Sequence, residues 1–171
     1  MGKENFTTNR LALEEILVRQ FRVLQEMIEL TKKERASLLN DPNQVLTVVE
    51  DKEALLDHLG VLEDKCRKIV QDLSLAVELR SEDTSIQSLL PFFQPDEAYR
   101  IKNLSEGISS LASQARELTR ANQALALSKL DWLKATQAFL ISIFQPEAGY
   151  RSPKGGSASQ EPAGLGVEIR V

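Results

Sequence analysis

The stretch IKNLSEGISSLASQARELTRANQALALSKLDWLKATQAFLISI, residues 101–143, decides the fold. Ile101, Leu104, Ile108, Leu111, Ala115, Leu118, Asn122, Leu125, Lys129, Trp132, Thr136, Phe139 and Ile143 follow one another at steps of three and four. Such steps return each side chain to one stripe of an α-helix. Asp96 and Glu97 stand ahead of the run, where negative charge suits a helix N-terminus. One helix is therefore expected from about Asp96 to Gln145, roughly 75 Å long at about 1.5 Å per residue.

Two shorter helices are expected before it. Leu13, Leu17, Phe21, Leu24 and Ile28 mark one stripe of a helix running from Thr8 to Leu39. Asn40-Asp41-Pro42 stops that helix and starts the next, with Asp41 as N-cap and Pro42 at the first helical position. The second helix runs to Leu79 on a heptad-like seam of Val45, Val49, Leu56, Leu59, Cys66, Val70, Leu73 and Val77. Gly60 interrupts it and weakens it by about 1 kcal/mol relative to alanine. So short a break favours an antiparallel pair. Ile86–Phe93 reads as a short helix broken at Pro91 and closed by Pro95. The fold class is all-α: an elongated antiparallel hairpin with a long third helix packed along it in a coiled-coil-like bundle.

If the third helix outruns the hairpin, part of it lacks cover. The stretch from Leu125 to Phe144 is also apolar beyond its seam, because Leu127, Leu130, Leu133, Leu140 and Phe144 lie off it. An apolar surplus of this kind marks a partner site. Trp132 reads either as core or as an interface anchor. Asn122 reads either as a register device, as buried asparagine acts in coiled coils, or as a polar anchor for a bound helix.

After Gln145 the composition shifts to proline, glycine and serine. The expected organisation is a helical domain over residues 1–145 and a flexible tail over 146–171. Val167–Val171 alternates like a strand, though too short a one to stand alone.

The inventory supplies no chemistry. His58 is the only histidine, and Leu55 stands where a Glu-x-x-His motif would need its carboxylate. Cys66 is the only cysteine and sits on the apolar seam, so a buried, inert thiol is expected, in a reducing cytosol. No metal set, catalytic triad or phosphate loop can be assembled, and Lys154-Gly155-Gly156-Ser157 lacks P-loop spacing. No enzymatic activity and no cofactor are expected. The formal net charge of −4, with both signs interspersed, argues against nucleic acid and against a polybasic membrane anchor. The N-terminus leads into charged residues rather than a signal-peptide core, and the apolar run Ala138–Phe144 is too short to insert across a membrane.

Three features together resemble the FlgN-like family of flagellar type III export chaperones, over nearly the whole length. They are the leading helical pair with Glu50-Asp51-Lys52-Glu53-Ala54-Leu55-Leu56; the late helix with Asn122-Gln123-Ala124-Leu125-Ala126-Leu127; and the Gln145-Pro146-Glu147 exit followed by Tyr150 and a glycine. The chain departs from the family pattern at Gly149, where a larger residue is usual, and at Lys154-Gly155, where an acidic residue commonly precedes the glycine.

The resemblance implies a cytoplasmic chaperone that binds C-terminal helical segments of hook–filament junction proteins. It would escort them to the export gate. The residues expected to bind the client are Leu125, Leu127, Leu130, Trp132, Leu133, Phe139, Leu140 and Phe144. By resemblance, Tyr150 docks on the cytoplasmic domain of the export gate; the competing reading folds it back to cap the long helix against Phe144. The alternative function is a structural coiled-coil scaffold that self-associates, and a homo-oligomer stays open.

Overall fold

The computed structural model describes residues 3–80 and 84–144. Among them the regular elements are helices: α1 (Lys3–Asn40), α2 (Val45–Ala76), α3 (Ile86–Leu89) and α4 (Pro95–Phe144), with 3-10 turns at Pro42–Gln44 and Leu90–Phe92. Two compact units divide the chain, Met1–Trp132 and Leu133–Val171, and α4 contributes to both. The tail expected over 146–171, with Tyr150 and the strand-like Val167–Val171, lies outside the described residues.

α1 is free of glycine and proline over 38 residues. It starts five residues before the expected Thr8, since the polar residues ahead of Phe6 are compatible with helix even though they add nothing to its seam. Four of its five seam residues, Leu13, Leu17, Leu24 and Ile28, are buried. Its end follows the expected signal. Asp41 Oδ1 accepts from the Asn43 N–H at 3.2 Å and Oδ2 accepts from Gln44 Nε2 at 2.8 Å. Pro42 opens the 3-10 turn that leads into α2. Proline suits that place because its missing N–H would have no partner there.

α2 corrects the expected seam in its first half. Leu56 is exposed, whereas Val48 and Leu62 are buried and Leu55 packs on Met27 and Ile28. The two registers differ by one residue, about 100° of rotation. From Cys66 through Val70 to Leu73 the expected seam holds. α2 stops at Ala76 rather than Leu79 because Glu78 takes a left-handed conformation, φ 58°. The Leu79 N–H then donates to Ser74 O at 2.9 Å and the Glu78 N–H to Leu75 O at 3.2 Å, a Schellman closure.

Ser85 caps α3 by accepting from the Ser88 N–H at 3.1 Å. Pro91 turns the chain into the 3-10 segment, and Phe93 packs against Phe6 with ring centroids 5.9 Å apart. Glu97 reaches back to accept from the Gln94 N–H at 3.2 Å, half of a capping box that fixes the start of α4.

The first unit has one main core: Leu13 and Leu17 of α1, Cys66, Val70 and Leu73 of α2, Leu89 of α3, then Phe93 and Ile101. A second cluster joins Met27 and Ile28 to Ala115, with Leu55, Leu111 and Leu118 packed against it. Residue numbers along α1 rise as those of α2 fall, so the hairpin is antiparallel. Along the same path α4 numbers rise, from Glu97 beside Arg10 to Lys129 beside Leu38, so α4 lies parallel to α1. Gly107 permits a close approach on the way: a Cβ there would stand 2.8 Å from Phe21 Cε2.

Candidate functional site

Charged and polar side chains hold α4 on the hairpin of the first unit at both ends. At the start, Arg10 Nη2 lies 3.1 Å from Glu97 Oε1, and Arg100 Nε donates to Glu14 Oε1 at 2.8 Å. The bond to Glu14 raises the pKa of the already basic Arg100 guanidinium. Farther along, Asn122 Nδ2 donates to Thr31 O and to Glu34 Oε2, both at 2.8 Å. Glu34 Oε2 also takes Lys52 Nζ at 2.7 Å, so one carboxylate ties α1, α2 and α4 together.

Lys129 Nζ then donates to the carbonyls of Leu38 and Leu39. Those carbonyls end α1, whose own last turn carries no basic residue. α4 thus supplies the cation that the negative end of the α1 dipole calls for.

This geometry decides between the two readings of Asn122. It is 3 % exposed, and its amide nitrogen is committed inside the bundle. It sets register between α1 and α4 and is withdrawn from any bound helix.

The client-binding candidates fall in both units. In the first, Leu125 is half-buried, while Leu127, Leu130 and Trp132 are exposed. In the second, Leu133, Phe139, Leu140 and Phe144 are exposed, Phe139 at 64 % and Phe144 at 79 %. Leu133, Leu140 and Phe144 stand above one another at seven- and four-residue spacing. Ile141 and Ile143 are exposed too; the seam contained Ile143, but the sequence-derived site left both out. Of the described residues in the second unit, Thr136 alone is less than exposed.

Among the described residues the single histidine and the single cysteine stand apart from this apolar surface. His58 lies exposed on α2. Cys66 is buried, and burial together with Glu63 pushes its thiol pKa up, so the protonated form prevails at neutral pH. It lines a 540 Å³ groove with Leu59, Arg67, Ile108, Ser109 and Arg116. The groove's lining includes the Glu63 carboxylate but no histidine. Among the described residues no group of carboxylates, histidine and cysteine is placed to hold a metal ion. No described helix is long and apolar enough to cross a membrane.

The FlgN protein family matches residues 10–158, a span that holds the bulk of α1, all of α2, α3 and α4, and Tyr150. No match is found among curated proteins or among solved structures.

Proposed function

This chain belongs to the FlgN family of flagellar export chaperones, and from that premise we propose that it binds C-terminal helical segments of hook–filament junction proteins and delivers them to the type III export gate. It does so in the cytoplasm and without catalysis. The observation that carries the client reading is the exposure of large apolar side chains along the end of α4, among them Leu127, Leu130, Trp132, Leu133, Phe139, Leu140 and Phe144, with Leu125 at their edge. Apolar surface left in water at this density is stabilised by cover. A client that polymerises through terminal helices offers a matching stripe, and helix-in-groove recognition joins the two.

Docking on the cytoplasmic domain of the export gate is assigned to Tyr150. Its ring is the sole aromatic after Phe144, in a stretch of small, polar and turn-forming residues.

Calorimetric titration of the chain with the host's hook–filament junction proteins tests the client reading. Defined stoichiometry with a junction protein supports it; self-association without client binding would instead establish a scaffold. Tyr150→Ala tests docking: client binding and melting temperature stay as in the parent while gate binding weakens. A lowered melting temperature with gate binding intact would assign Tyr150 to helix capping.

A further inference from the structure

Within the second unit, α4 carries six large apolar side chains: Leu133, Phe139, Leu140, Ile141, Ile143 and Phe144, all exposed. Lys134 is the single charged residue between Leu133 and Phe144. At about 100° per residue, Leu133, Leu140 and Phe144 share the centre of one face, Phe139 and Ile143 lie about 80–120° to one side, and Ile141 lies about 80° to the other. The arc they span is therefore about 200° wide and apolar at six of its eight positions, with Thr136 and Gln137 between the centre and the two flanks. A helix packed on one neighbour needs a stripe of only about 100°.

The remaining face holds Lys134, Ala135, Ala138 and Ser142. Ser142 Oγ donates to Phe139 O at 2.7 Å, so its hydroxyl is satisfied by the helix itself. That face is small and suits water.

Building on the chaperone reading above, we infer that the end of α4 is covered by a partner presenting two neighbouring helices, and that α4 seats in the groove between them. A lone peptide helix covers one flank and leaves the other in water. A second copy of this chain has the same shortfall, since two such helices side by side each shield about half of an arc this wide. The groove is largely apolar, meets the side chains of Thr136 and Gln137 between the centre and the flanks, and is poor in charge, because α4 offers it one ammonium group at the rim and no carboxylate.

Substitutions on the two flanks test this in the full chain, with the host's full-length hook–filament junction protein as the probe. Phe139→Glu and Ile141→Glu each place a carboxylate on a different flank, and Ala138→Glu places one on the small face. Helical content and melting temperature by circular dichroism check that each variant folds. Each flank variant weakens binding by about tenfold or more in calorimetry, whereas Ala138→Glu stays within about twofold of the parent. Loss from one flank variant alone would overturn the inference in favour of a single-helix partner. A free chain that sediments as a trimer, and that dissociates in both flank variants, would overturn it in favour of self-assembly. Absence of binding by the parent chain would remove the chaperone reading itself, and the two-helix partner with it.

Discussion

Two stretches of α4 share one periodicity and have opposite surroundings. Ile101 is fully buried, while Ile143, on the same three-and-four seam, is 57 % exposed. Around Ile101 the off-seam positions are Lys102, Asn103, Ser105 and Glu106, so one stripe is apolar and the rest is wet. Around Ile143 they are Leu140, Ile141, Ser142 and Phe144, three of the four apolar. Periodicity says which face of a helix is apolar. The width of that face says how many neighbours it needs, and neither says whether those neighbours belong to the same chain.

The sharpest way to break this contrast is to truncate the same residue type in both stretches. Ile101→Ala opens a cavity against Leu13 and Phe93 and is expected to cost about 2–5 kcal/mol in urea unfolding. Ile143→Ala removes methyl groups already in water and should stay within about 0.5 kcal/mol. Equal losses would mean that Ile143 is covered within the folded chain. Next in size, Asn122→Ala leaves Thr31 O without its amide donor and takes from the Glu34 carboxylate one of its two partners. A loss of about 1–3 kcal/mol is expected, and a negligible one would show that the amide does not fasten α4 to α1.

The glycines sharpen the comparison with opposite signs. A methyl at Gly107 collides with Phe21, whereas a methyl at Gly60 meets nothing within 4 Å. Gly60→Ala should raise stability by about 1 kcal/mol through helix propensity alone. Gly107→Ala should lower it by about 1 kcal/mol, as overpacking outweighs that same gain. A stabilising Gly107→Ala would show that α4 has room to move away from α1.

The smallest effect belongs to Cys66. Burial raises its pKa above the ordinary 9.0, so above that pH the unfolded chain gives up the thiol proton first. The unfolded state then binds fewer protons, and stability falls as pH rises from 9.0 through the folded value. Urea unfolding at increasing alkaline pH should show a shallower fall in Cys66→Ala than in the parent. Identical slopes would place the thiol in water.

The helices were legible because their signals were local. The α1 seam, the Asp41-Pro42 restart and the Asp96-Glu97 start each depend on residues within one or two turns. The register of α2 was not legible, because Val48-Val49 and Leu55-Leu56 offer apolar side chains on adjacent stripes. Packing on Met27 and Ile28 chose Leu55, and that choice lies on another helix. The polar fasteners were hidden for the same reason: Arg10 and Thr31 look like solvated helix positions until Glu97 and Asn122 arrive from far along the chain. The candidate site was read from its apolar surplus. Ile141 escaped that reading because one seam with its nearest off-seam neighbours leaves the second flank unexamined.

The clasp at Lys129 also sets an order of events. Lys52 meets Glu34 across 18 residues, so the hairpin closes over a short loop. Lys129 meets the end of α1 across 90 residues, and Arg100 meets Glu14 across 86. Contacts so distant in sequence carry the larger entropy of closure and form late. On the ribosome, α1 and α2 are complete and free to pair well before Lys129 has been made. Until it arrives, the last carbonyls of α1 face water, and the amides of that final turn should be among the last in the first unit to gain protection from hydrogen exchange during refolding.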